Sequence, residues 1–242
     1  MGQTTIVIPG RFCGPSGSAN GGYASGVMAE ALGVPAEVEL RQPPPLDTPM
    51  SVVAGEAGAE ALDAEGGVVL RARPLADDEP AVRPFEPVTL AAAEAASTRY
   101  VGFERHPFPR CFTCGPERDA GDGLRIFPGQ VEGRPDGTVA APWRPHSTLA
   151  GPDGVVAAPV VWASLDCPTG FTVMTADADV PPYVLARFAV RIDAPVPADR
   201  DYVVMGWSLG DDGRKHLAAS ALFDEQGVTV ARASALWIQL RA

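Results

Sequence analysis

The sequence predicts an α+β protein built as two tandem halves, each a curved antiparallel sheet wrapped around one central helix. Three observations carry this prediction. An acidic hairpin occurs twice, as ALDAEGGVVL over residues 61–70 and ALFDEQGVTV over 221–230, and aligns Leu62 with Leu222 and Gly67 with Gly227. A strand, a Pro-broken bend and a second strand precede each hairpin, as EVELRQPPPLDTPMSVV over 37–53 and FAVRIDAPVPADRDYVV over 188–204. One apolar stretch of helical length comes before each of these pairs. An internal repeat of this size dictates the architecture, so it is read before any single motif.

In the first half the helix covers residues 20–32, NGGYASGVMAEAL, with Asn20 placed to cap it and Gly33 to end it. In the second it starts at residue 158 and continues as PVVWASLDCPTGFTVM, where Pro159 suits the first turn. Both are apolar nearly all round, and a helix without a polar face belongs inside, here under the sheet. Pro44 and Pro195 fall at matching bends, where two strands separate and no ladder donor is needed. Residues 77–87 are acidic and Pro-rich, and 88–100, VTLAAAEAASTRY, read as a surface helix. The expected organisation is therefore a first unit over 1–76, a helix-bearing linker over 77–108 and a second unit over 109–242.

The 26 glycines and 25 prolines take about twice the roughly 12% they hold in an average protein, as a many-turned sheet protein requires. With 46% hydrophobic residues the chain can bury a core. A formal charge of −11 with one lysine, Lys215, lacks the basic face that nucleic-acid binding needs. No apolar run marks a signal peptide or a membrane helix, so a cytoplasmic protein with no membrane partner is expected. Four scattered cysteines, Cys13, Cys111, Cys114 and Cys167, do not make a disulfide framework and are expected to be reduced.

Asp166 is the sharpest candidate residue. It follows Val160, Val161, Trp162, Ala163, Ser164 and Leu165, and an ionised carboxylate in such company is costly unless partnered. Alternatively Pro168, which removes a helical N–H, turns Asp166 outward. Glu30 lies near the end of the first helix and reads as solvated. Cys111-x-x-Cys114 with His106 supplies too few ligands at zinc spacing, Cys13 and His146 are remote in sequence, and no metal is expected. Cys167 has no histidine near it in sequence. The glycine-rich residues 11–23 contain neither GxGxxG nor a GK[ST] ending, which excludes a nucleotide loop, and no G-x-S-x-G elbow occurs.

Three segments carry a resemblance to a known family: NGGY at 20–23, CFTCGPERDAGDGLRIFPG at 111–129 and VVWASLDC at 160–167. Together with the duplication they resemble the thioesterase superfamily in its tandem, double-hotdog form. The resemblance implies an acyl-CoA thioesterase without a cofactor. In it Asp166 activates the attacking water with Asn20, while Gly21, Gly22, Tyr23 and Trp162 bind the acyl thioester. The amides of Gly21 and Gly22 would stabilise the oxyanion, and Arg11, Arg187, Arg191 and Arg232 are candidates for coenzyme A phosphates. Departures point to an alternative, a non-catalytic acyl or acyl-CoA binding protein. Ala157, Ala158 and Pro159 stand where one branch has H-G-G, Ala29 where many first halves carry an acid, and Ala235 where a glutamine holds water, with Gln239 out of register. The histidine-plus-acid pair of a hotdog dehydratase has no counterpart in this sequence. Tandem halves mimic a dimer of single hotdogs, so a monomer and a further homodimer both suit the sequence.

Overall fold

A computed structural model describes residues 4–241, apart from 56, 81, 83, 84, 136 and 175–180. Strand β1 (Thr4–Ile6) leads to helix α1 (Gly21–Leu32) and strands β2 (Ala36–Leu40), β3 (Met50–Gly55), β4 (Gly58–Leu62) and β5 (Val68–Pro74). Helix α2 (Leu90–Ser97) follows. The second half comprises β6 (Gly129–Gln130), β7 (Val139–Trp143), helix α3 (Ala158–Gly170), β8 (Tyr183–Ile192), β9 (Tyr202–Asp212), β10 (Lys215–Phe223) and β11 (Thr229–Gln239).

All strands join one antiparallel sheet in the order β1-β3-β4-β5-β2-β8-β11-β10-β9-β7-β6. Five strands of each half mirror one another about the β2–β8 seam, where Ala36 pairs with Val190 and Val38 with Phe188, and β6 is added at the far edge of the second half. Duplication alone explains this symmetry, because the strand after each central helix sits at the edge of its own half and finds its counterpart there. No helix among the described residues is long and apolar enough to cross a membrane.

The repeat is real, but its register differs by one residue from the sequence alignment. Ala61 pairs with Leu70 as Leu222 pairs with Ala231, so Leu62 corresponds to Phe223 rather than to Leu222. The aspartates set this register. Asp63 Oδ1 accepts the N–H of Glu65 and Gly67, and Asp224 Oδ1 those of Gln226 and Val228, closing identical five-residue loops. The left-handed residue of each loop is then Gly66 (φ 83°) and Gly227 (φ 77°).

The two central helices pack on each other as well as on the concave face of the sheet. Gly22 and Gly26, one turn apart on α1, face Pro159, Trp162 and Asp166 on α3. A methyl group at Gly22 would fall 2.5 Å from Asp166 Cβ, and one at Gly26 would fall 2.6 Å from Pro159 Cα. These glycines therefore allow the close approach that brings Asp166 to the first turn of α1. Pro168 lies inside α3, yet it does not turn Asp166 outward, and the carbonyls around it are capped by side chains. Ser220 Oγ donates to Leu165 O at 2.7 Å and Thr169 Oγ1 to Asp166 O at 2.6 Å.

On the opposite face of the sheet, α2 buries Ala93 and Ala96 beside Val203, Met205 and Trp207. Residues 104–128 carry no helix or strand, although Phe112, Thr113 and Ile126 within them are fully buried. Arg118 holds this segment from within, since its guanidinium donates to Arg110 O at 2.8 Å, Arg11 O at 2.6 Å and Asp122 Oδ2 at 2.8 Å. Arg118→Met strands those carbonyls and is expected to cost about 2 kcal/mol, lowering Tm by roughly 4–8 °C. A thermal melt within 1 °C or so of wild type would show that the segment is held by other means.

Candidate active site

Asn20 is the N-cap of α1 and uses both ends of its amide. Its Oδ1 accepts the Tyr23 N–H at 2.8 Å, and its Nδ2 donates to Asp166 Oδ2 at 2.8 Å. An amide can accept on one side and donate on the other, which a carboxylate cannot. An aspartate at position 20 would cap the helix equally well but would set two carboxylates face to face. Asp166 Oδ2 accepts a second bond from Gly22 N at 2.9 Å, so a residue of one half is gripped by the helix start of the other.

Asp166 is 2% exposed, and its other oxygen, Oδ1, is buried with no hydrogen-bond partner among the described residues. Burial pushes the carboxyl up to about 7, against the opposing pull of the Gly22 N–H and the Asn20 amide and with added repulsion from Cys111. A carboxyl poised there can take a proton and return it near neutrality.

Asp166, Asn20 and Gly21 lie on the wall of a cavity of about 460 Å³, within the roughly 300–1,000 Å³ typical of small-molecule sites. Its apolar side is formed by Leu40, Phe108, Phe171, Met174, Leu185 and Trp237. The Gly21 N–H, first amide of α1, finds no acceptor among the described residues.

The other site residues expected from the sequence lie elsewhere. Gly22 spends its N–H on Asp166 and does not line the cavity; its missing side chain serves helix packing instead of ligand approach. Tyr23 points away and stacks on Phe12 with centroids 3.8 Å apart, and burial pushes its hydroxyl up to about 12. Trp162 is buried edge-on against Phe188. The four arginines assigned to phosphates are engaged internally: Arg11 with Asp122, Arg187 with Glu37, Arg191 with the carbonyls of Ala76 and Glu79, and Arg232 with Asp193. Arg41, which sequence reasoning passed over, lines the cavity with its side chain 57% exposed and only a long contact, 3.7 Å, to Glu39 Oε2.

The larger omission is a sulfur cluster. His106, Cys111, Cys114 and Cys167 all line the same cavity. Cys114 and Cys167 Sγ are 3.1 Å apart, Cys111 and Cys167 Sγ 3.7 Å, and His106 Nε2 is 3.3 Å from Cys114 Sγ. The Cys114 thiol donates to the Cys167 sulfur; the neighbouring sulfurs of Cys114 and Cys167 hold Cys111 well below an ordinary thiol, while burial pushes Cys114 and Cys167 well above it. Burial likewise lowers His106. The CxxC pair is visible in the sequence, but its third member stands 53 residues beyond Cys114.

A mirrored sheet around two crossed central helices, with a cavity at their meeting point, defines a double hotdog. Solved structures agree. The TesB protein of Mycobacterium avium subsp. paratuberculosis superposes over 99% of this chain and 93% of its own with a TM-score of 0.62 at 16% identity. A hot dog fold protein of unknown function from Alicyclobacillus acidocaldarius gives 0.63 at 14% identity, over 99% and 94%. A candidate thioesterase of Novosphingobium aromaticivorans gives 0.61 at 14%, over 99% and 96%. No protein-family model matches the chain, and no curated protein matches it in sequence. The chain therefore has the hotdog fold, in its tandem form.

Proposed function

We propose that this protein hydrolyses an acyl thioester, with acyl-CoA as the substrate class, through a water activated by Asp166. One observation carries the reading: a carboxylate at a cavity wall has one oxygen fixed by Asn20 and Gly22 and the other buried without a partner. In this reading the acyl group lies against Leu40, Phe171, Leu185 and Trp237, and water sits on Oδ1. The water oxygen bonds to the thioester carbon as its proton passes to Asp166. The C–S bond then breaks, and the departing thiolate takes the proton. Asn20 keeps the carboxylate aimed, and the Gly21 N–H donates to the developing oxyanion.

A second reading, acyl-CoA binding without turnover, is favoured by Ala235, buried on β11 where the resemblance places a water-holding glutamine. Thiol release from short, long and aromatic acyl-CoAs, run beside calorimetric binding of a non-hydrolysable thioether analogue, separates the two. Release that depends on Asp166 supports hydrolysis. Binding with no release from any chain length supports the second reading, and neither binding nor release overturns both.

Arg41 is the cation best placed for a phosphate at the cavity mouth. Arg41→Ala is expected to raise KM for acyl-CoA about fivefold, the worth of one solvent-screened ion pair, with kcat unchanged. Equal KM values for the variant and wild type would remove Arg41 from the binding surface.

A further inference from the structure

We infer that Cys111, Cys114 and Cys167 form a zinc site whose fourth coordination position opens into the cavity. The three sulfurs lie within 4.8 Å of one another and are buried. A Zn–S bond of about 2.3 Å places tetrahedral sulfurs about 3.8 Å apart; Cys111 and Cys167 at 3.7 Å already meet this, and Cys114 and Cys167 at 3.1 Å would open by about 0.7 Å.

The donors around the cluster point the same way. A neutral thiol is a weak acceptor, yet N–H groups converge on these sulfurs. Asn20 Nδ2 stands 3.7 Å from Cys111 Sγ, and His106 Nε2 stands 3.3 Å from Cys114 Sγ. Such donors suit thiolates, and a buried group of thiolates requires a cation. No arginine or lysine bonds to the three sulfurs among the described residues, so a divalent ion with a taste for sulfur is the fitting counter-charge.

His106 supports the site without ligating. Its Nδ1 accepts the Phe108 N–H at 2.8 Å, which leaves the proton on Nε2 and directs it at Cys114 sulfur. Gly115 makes the CxxC turn tight enough, because a methyl group there would fall 2.6 Å from the Cys111 backbone. Metal binding would also fasten residues 104–128, a long segment without regular structure whose residues 111–115 are buried, to the central helix α3 through two of its cysteines. The assignment is independent of thioester hydrolysis.

The test is the metal content of untagged protein purified without chelators, with cobalt(II) replacement read by absorption. About one zinc per chain is expected, with a thiolate-to-cobalt charge-transfer band on substitution. Cys111→Ser, Cys114→Ser and Cys167→Ser should each lose the metal, while His106→Asn keeps it with affinity lowered roughly 10–100-fold. The cobalt spectrum of the wild type decides the matter even where a serine variant fails to fold. Reduced protein that takes up less than about a tenth of an equivalent of zinc and gives no charge-transfer band overturns the site. So does peptide mapping that finds Cys114 and Cys167 joined as a disulfide in the protein as isolated. Complete loss of metal in His106→Asn would make His106 a ligand and overturn the open position.

Discussion

Asp166→Asn is expected to lower thioester hydrolysis by about 10²–10⁴-fold, the usual worth of a positioned general base, while the protein stays folded. The substitution keeps the shape of the side chain. Its amide oxygen can still accept from Asn20 Nδ2 and Gly22 N, so the grip between the two helices survives. What it removes is the basic oxygen, along with the cost of holding a carboxylate in a buried place. Stability should therefore hold or rise slightly as activity falls, a pairing that a merely structural role for Asp166 would not produce. Steady-state thiol release and a thermal melt on the same preparations measure both. Unchanged turnover in the folded variant would dismiss Asp166 as the base.

Much of this site could be read before its geometry was known, and the parts that could not share a physical cause. Asp166 announced itself because a charge amid Val160 to Leu165 breaks a local pattern, and Asn20 because caps obey local rules. Both signals live within a few residues of chain. The partnership of Asp166 with Gly22 is a contact between halves, set by how closely α1 and α3 can approach, and no local pattern records that distance. For the same reason the sequence assigns Tyr23 and Trp162, one residue from Gly22 and four from Asp166, to substrate binding, although the helical turn directs them into packing with Phe12 and Phe188.

The fold shows the same division. The limits of α1, the start of α3 and the hairpins followed from capping, apolar runs and turn residues, whereas α3 ends at Gly170, short of Met174, and α2 covers only Leu90–Ser97 of the 88–100 stretch. The hairpin register slipped by one because the similarity of Leu62 to Leu222 outweighed Asp63 and Asp224, whose side-chain bonds govern the loops. Likewise Cys111-x-x-Cys114 is a local motif, whereas Cys167 joins it only through the tertiary placement of α3. Duplication could be read from sequence; the single continuous sheet depended on the β2–β8 seam, which neither half encodes alone.

The second large effect is on stability, at Gly26. By helix propensity alone, alanine in place of a mid-helix glycine gains about 0.5–1 kcal/mol. Here sterics reverse the sign. The new methyl would lie 2.6 Å from Pro159 Cα and 2.9 Å from Trp162 Cβ, and neither a backbone atom nor the root of a buried indole can swing aside. The helices must separate, which opens contacts along the whole α1–α3 interface, so Gly26→Ala is expected to cost about 3 kcal/mol net, roughly 6–12 °C in Tm. Ser25→Ala, on the preceding residue, supplies the control. Its hydroxyl is buried without a partner among the described residues, so its removal should raise stability by about 1 kcal/mol. Opposite shifts at adjacent positions of one helix would isolate close helix approach as the cause. A Gly26→Ala variant as stable as wild type would mean that α1 and α3 can part at little cost, and the grip of Asn20 and Gly22 on Asp166 would then have to come from elsewhere than helix packing.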